Sequence, residues 1–201
     1  MTRRKRGILL ITAAALAILA VSTAGLQAAD KLFFSISTGG TGGVWYPLGG
    51  AIGGVVGQKV PNTEATAEAT TAAIDNLKLL IAERAGMAFC YDYHVGWMND
   101  GKVEGIKGKH NVQLVLGFYE QPFHIATFED TGIKSVMDLK GKRVSTGAPN
   151  SGTEEQADYV LKALGINWDK DFTREKLGAT QSVGALKDNK IHAFFWSGAV
   201  P

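Results

Sequence analysis

Two stretches of this chain are built to one plan, and that repeat constrains the fold more than any other feature of the sequence. In the first, Leu32-Phe-Phe-Ser-Ile-Ser37 runs into Thr38-Gly-Gly-Thr-Gly-Gly43, after which Leu48, Ile52, Val55 and Val56 recur at helical spacing. In the second, Arg143 to Thr146 runs into Gly147-Ala-Pro-Asn-Ser-Gly-Thr153. A helix over Glu154 to Leu164 follows, with Gly165 just past its end, where a left-handed residue closes a helix. Short aliphatic and aromatic runs read as strands, and spacings of three and four read as helix. Each stretch is therefore a strand, a loop rich in glycine and hydroxyls, and a helix. The expected fold class is α/β with largely parallel sheets.

The loops carry the chemistry. A strand-to-helix loop exposes backbone N–H groups at the positive end of a helix dipole, which suits an anion. Ser and Thr hydroxyls add adaptable donors and acceptors. In open α/β sheets, ligands bind beyond the carboxyl ends of the strands, where these loops lie. Two such loops, one per half, point to two lobes gripping a small anion. The plainer reading of either loop alone is an ordinary turn with an N-cap.

Between and after the repeats, further elements are legible. Pro61 ends the first helix, Thr63 to Thr70 alternates like a strand, and Ile74, Leu77, Leu80 and Ile81 mark a second helix before Gly86. Met87 to Tyr91, Val112 to Tyr119, Phe123 to Phe128 and Ile191 to Trp196 read as strands. Ser135-Val-Met-Asp138 is a capping box for a short helix ending near Gly141. A helix near Ser182 to Lys187 precedes the last strand. Tyr91, Tyr93, Trp97, Tyr119 and Trp196 fall at or just past strand ends, where aromatic walls suit a small-molecule site.

Several chemistries are excluded or weakened. Walker A needs Gly-Lys-Ser/Thr after its glycines, and no such tripeptide occurs. A dinucleotide fingerprint begun at Gly40 would need Gly or Ala where Trp45 stands. Ser151 lacks the Gly-x-Ser-x-Gly frame of a nucleophile elbow. The four His residues show no metal-binding spacing, and the single Cys, Cys90, lies in an apolar run and reads as a buried small hydrophobe. No catalytic residue, cofactor or metal is expected.

Arg3 to Arg6 is a basic block, Ile8 to Leu26 carries no charge, and Gln27-Ala28-Ala29 ends in small residues. That pattern reads as a secretory signal peptide over residues 1–29. The formal net charge of the whole chain is +2. Removing the block leaves 17 Lys and Arg against 19 Asp and Glu, so the exported part is slightly acidic and nucleic acid is not an expected partner.

Phe34-Ser-Ile-Ser-Thr-Gly-Gly-Thr-Gly-Gly-Val-Trp-Tyr-Pro-Leu-Gly-Gly50 resembles the opening motif of the TAXI family of solute-binding proteins of TRAP transporters. Asn76-Leu77, Tyr119-Glu-Gln-Pro-Phe-His124, Asp138-Leu-Lys-Gly-Lys-Arg-Val144 and Gly147-Ala-Pro-Asn-Ser-Gly-Thr-Glu154 extend the likeness. The resemblance implies a bilobed periplasmic-binding-protein-like fold of type II, with residues 30–118 in lobe 1 and 119–201 in lobe 2. Family members are longer, so it also implies a fragment lacking the C-terminal part of lobe 1. It implies capture of a small carboxylated solute, such as glutamate, glutamine or a dicarboxylate, in the periplasm and delivery to TRAP membrane permease subunits. Ligand-binding roles then fall to Thr38, Gly39, Gly40, Thr41, Gly43 and Tyr46, to Asn76 and Tyr119, and to Asn150, Ser151, Gly152 and Thr153. Only three Arg follow residue 29, and Arg143 precedes its strand, so backbone and hydroxyl donors are expected to hold the anion. The alternatives are an exported hydrolase using Ser151 and a ligand-sensing module.

Overall fold

The computed structural model describes residues 30–199, so the signal peptide expected over residues 1–29 lies outside the described residues. The chain divides into two compact units, 1–32 and 33–201. Only Asp30 to Leu32 of the first is described, and the account below concerns the second.

Two sheets organise it. The first has the strand order β2-β1-β3, from β1 (Leu32–Ser37), β2 (Thr63–Glu68) and β3 (Met87–Ala88). β3 lies parallel to β1, with Ile36 opposite Met87 and Ser37 opposite Ala88. The second has the order β4-β7-β5-β6, from β4 (Phe123–Thr127), β5 (Arg143–Ser145), β6 (Thr173–Glu175) and β7 (Ala193–Ser197). β5 runs parallel to both neighbours, and β4 is antiparallel to β7. The helices are α1 (Trp45–Lys59), α2 (Ile74–Ile81), α3 (Asp92–Asp100), α4 (Gly152–Ala163) and α5 (Ala179–Lys187).

Each sheet has its own core. Ile36, Trp45, Ala65 and Phe89 pack in the first half, and Val144, Leu161, Phe172 and Phe195 in the second. The glycine-rich α1 has poor helix propensity and is held by packing. A Cβ at Gly49 would strike the Thr38 methyl, and one at Gly53 the Ala65 carbonyl, so small residues let the helix lie directly on the first sheet. Gly165 closes α4 with φ +69°, as its place in the sequence predicts. The Ser135 capping box also forms: Asp138 Oδ2 accepts from the Ser135 amide at 2.8 Å and its hydroxyl at 2.9 Å, opening the 3₁₀ turn Val136–Leu139.

Two expectations fail. Residues 92–100 form α3, a helix that the apolar spacing does not predict, and Tyr93 and Trp97, expected at or just past strand ends, lie on it. Its apolar spacing is weak and Gly96 interrupts it, so tertiary contacts hold it: Trp97 meets Tyr159 of α4 edge-on at 6.0 Å, and Tyr93 donates to Glu155 of the same helix at 2.9 Å. Conversely, Val112 to Tyr119 reads as a strand but forms none. A strand requires a ladder partner, and among the described residues none lies beside it. Leu114, Val115 and Leu116 are exposed, and Phe118 stacks on Phe89 at 5.5 Å. An open groove of about 1280 Å³ runs between this segment and β3.

Candidate functional site

Three strand-to-helix loops converge on one cleft of about 410 Å³. The β1–α1 loop supplies Gly39, Gly40, Thr41 and Gly43, and the β5–α4 loop supplies Gly147, Ser151, Gly152 and Thr153. The β6–α5 connection adds Gly178, the first turn of α5 adds Thr180 and Gln181, and the end of β7 with the residue after it adds Trp196, Ser197 and Gly198. Trp45, Tyr91, Tyr119 and Phe195 give the aromatic walls. α1, α4 and α5 therefore all begin at this cleft, each with unsatisfied first-turn amides and a partial positive charge.

At α4 the cap is explicit. Ser151 Oγ accepts the Glu154 amide at 3.1 Å, which leaves the amides of Gly152 and Thr153 as the first-turn donors. Thr153 Oγ1 accepts the Ser197 amide at 3.3 Å and ties the helix start to the end of β7. Among the described residues, none that lines the cleft is an Asp, Glu, Lys, Arg or His. The walls are hydroxyls, amides, aromatic rings and bare backbone. Burial, with the Glu155 charge second among the causes that raise it, pushes the Tyr91 phenol up to about 12, so it stays neutral.

The two halves touch beside the cleft. A Cβ on Gly152 would run into the Tyr91 ring, and one on Gly42 into the Thr180 hydroxyl. Behind Tyr91, the Glu155 carboxylate of α4 is held by α3: Tyr93 donates to Oε2 at 2.9 Å and His94 Nε2 lies 2.8 Å from the same oxygen. His94 is fully buried, and its Nδ1 accepts the Tyr91 amide at 3.3 Å. The ring is thereby fixed as the neutral tautomer with its proton on Nε2. Lys78 of α2 also crosses to Asn150 Oδ1 at 2.9 Å.

The structure brings Gly39, Gly40, Thr41, Gly43, Tyr119, Ser151, Gly152 and Thr153 to this cleft and keeps four other candidates out of it. Thr38 is fully buried and spends its hydroxyl on the Glu68 carbonyl at 2.7 Å. Asn76 is fully buried as a clamp: its amide donates to the Thr38 and Phe89 carbonyls at 2.5 and 2.7 Å, and its Oδ1 accepts from Thr70 at 2.5 Å. It has nothing left to offer a ligand. Tyr46 sits on α1 outside the lining, one residue past the Trp45 that does line it. Asn150 is exposed, in a left-handed conformation at φ +59°, and serves as the acceptor for Lys78.

Sequence reasoning missed Thr180, Gln181 and Ser197. Leu177-Gly-Ala-Thr-Gln181 carries a weak form of the same glycine-and-hydroxyl signal, directly after a strand of only three residues. Nothing in sequence marks Ser197. Neither arginine of the second half reaches the cleft: Arg143 donates to the Lys190 and Asn189 carbonyls, both at 2.6 Å, and Arg174 pairs with Glu154 while stacking on Trp168. Ser151 has no base beside it, because no His or carboxylate lines the cleft. Among the described residues no cluster of His, Cys, Asp and Glu could hold a metal, and no helix is long and apolar enough to cross a membrane.

This architecture matches solved structures at low identity. The alkanesulfonate-binding protein SsuA from Xanthomonas axonopodis pv. citri, bound to MOPS, superposes with a TM-score of 0.55 at 17% identity, covering 83% of this chain and 55% of that one. A structure from Bordetella bronchiseptica RB50 gives 0.54 at 18% identity, covering 82% and 51%. An L-cystine ABC transporter protein from Listeria monocytogenes gives 0.54 at 14% identity, covering 83% and 69%. The likeness shows an α/β fold of the type II periplasmic-binding-protein kind, and the chain spans about half the length of the first two. The profile of the NMT1-like family matches residues 36–201, so the chain belongs to the NMT1-like family.

Proposed function

We propose that this protein is an extracytoplasmic solute receptor that captures a small carboxylate between its two halves, with residues 30–118 forming lobe 1 and 119–201 lobe 2. The observation that carries the reading is the meeting of three helix starts at one uncharged cleft. Backbone amides and dipoles there match a carboxylate without any counter-ion. The eight candidates that line the cleft contribute the loops, and Trp45 and Trp196 the walls. The signal-peptide pattern of residues 1–29 supports a periplasmic location. The opening motif supports a TRAP permease as the partner, which would draw on an ion gradient. Vesicle uptake that needs nucleotide instead would remove that part of the proposal.

The direct test is thermal unfolding of the protein with a panel of small organic anions at millimolar concentration. A ligand present at a hundred times its Kd adds about 2.7 kcal/mol. At this chain length that raises Tm by about 5–10 °C. The absence of a shift with every anion in the panel refutes the reading. The hydrolase alternative has no support at Ser151, whose hydroxyl is committed to capping α4.

A further inference from the structure

Resting on that receptor reading, we infer that the cleft selects an organic acid that carries no ammonium group: a 2-oxo or 2-hydroxy carboxylate rather than an α-amino acid. A zwitterionic amino acid brings two charges into the site. Its carboxylate finds the amides at the starts of α1, α4 and α5. Its ammonium needs acceptors of matching strength, and an ammonium taken out of water without a carboxylate or several well-placed carbonyls is strongly disfavoured. Among the described residues, the lining contains no Asp or Glu. The nearest carboxylates are engaged elsewhere: Glu154 with Arg174 and the Asn150 amide, and Glu155 with Tyr93 and His94.

A second, independent observation points to what sits beside the carboxylate. Ser197 lines the cleft at the end of β7, is 4% exposed, and its Oγ has no hydrogen-bond partner. The Tyr91 phenol lies close enough for Ser197 to offset part of the rise in its pKa, yet the pair falls outside hydrogen-bonding geometry. A buried hydroxyl without a partner is costly, and a ligand oxygen relieves that cost. A hydroxyl can donate to an oxo group and either donate to or accept from a hydroxyl, so it serves both acid types. The aromatic walls from Trp45, Tyr91, Phe195 and Trp196 then suit a short uncharged or apolar tail.

The experiment measures affinities of the full chain by titration calorimetry for matched triplets: pyruvate, lactate and alanine; 2-oxoisocaproate, 2-hydroxyisocaproate and leucine; 2-oxoglutarate, 2-hydroxyglutarate and glutamate. The expected result is that, in the triplet that binds, the oxo or hydroxy acid is tighter than the amino acid by at least about thirtyfold. An amino acid that binds as tightly as its oxo partner overturns the inference and leaves the receptor reading standing. No binding by any triplet, together with no thermal shift across the wider anion panel, overturns the receptor reading itself. Ser197→Ala provides a second measurement. Removing an unpartnered hydroxyl leaves the Tm of the free protein unchanged or higher, and weakens the favoured acid by about tenfold. A lower Tm with unchanged affinity assigns Ser197 a structural role and overturns its part in recognition.

Discussion

Glu155→Ala tests whether the contact between α3 and α4 holds the two halves together. The substitution removes the carboxylate that accepts from Tyr93 at 2.9 Å and pairs with His94 Nε2 at 2.8 Å. Glu155 is itself only 9% exposed at its side chain, and His94 is fully buried, so no water replaces the lost acceptor without a rearrangement. A buried donor left without a partner costs about 1–3 kcal/mol. Tyr93 is half-buried and recovers part of its loss in water, so the sum is about 2–4 kcal/mol. For a chain of this size that lowers Tm by about 5–15 °C. The assay is circular dichroism melting at pH 7, with Glu155→Gln as the control that keeps an acceptor and loses less. Tyr93→Phe completes a double-mutant cycle and isolates the hydroxyl's share. A Glu155→Ala protein that melts within about 1 °C of the parent refutes the reasoning, because the pair would then contribute nothing net.

Two further outcomes follow from the same geometry. In Gly152→Ala the new methyl meets the Tyr91 ring at the lip of the cleft, so overpacking lowers stability by about 1–3 kcal/mol in urea unfolding, and a parent-like midpoint excludes the close approach. Burial first, and the Asp92 charge second, push the Cys90 thiol up to about 11, and burial pushes Tyr91 to about 12. The unfolded chain releases both protons at lower pH than the folded one, so stability is whole below about pH 9 and falls as pH climbs toward 11 and 12. A pH series of melts that stays flat to pH 11, or thiol labelling at pH 8 as fast folded as in urea, contradicts the assignment.

Much of this fold is legible because its signals are local. β1 runs from Leu32 to Ser37, as its aromatic and aliphatic residues predict, and Ser135 and Gly165 mark their helix ends through caps that depend on neighbours in sequence. What is illegible depends on distant partners. α3 is held by rings from its own and other elements, a stabilisation that no 3.6-residue period reports. The aliphatic and aromatic run Val112 to Tyr119 announces a strand, yet pairing is decided by what lies beside it. In the site, the glycine and hydroxyl loops are readable as loops. Which polar group faces a ligand and which is consumed within the fold is not readable, since Thr38 and Asn76 carry the right chemistry and bury it in links among the last residue of β2 and the residues that follow β1 and β3. Ser197 carries no signal at all, because its importance lies in the partner it lacks.

On the receptor reading proposed above, the absence of Asp, Glu, Lys, Arg and His among the described residues of the cleft also bears on how a solute would be let go. Between about pH 5 and pH 8 no wall group changes charge, the Tyr91 phenol least of all with its proton held to about 12. Acidity on one side of a membrane therefore cannot unload the site by altering its walls. On that reading affinity would be a property of distance: the starts of α1, α4 and α5 meet at the cleft where Gly42 lies against Thr180 and Tyr91 against Gly152. Prising those two contacts apart would divide one strong site into weak ones, and discharge would then be a mechanical event, driven by whatever surface pulls the halves from each other.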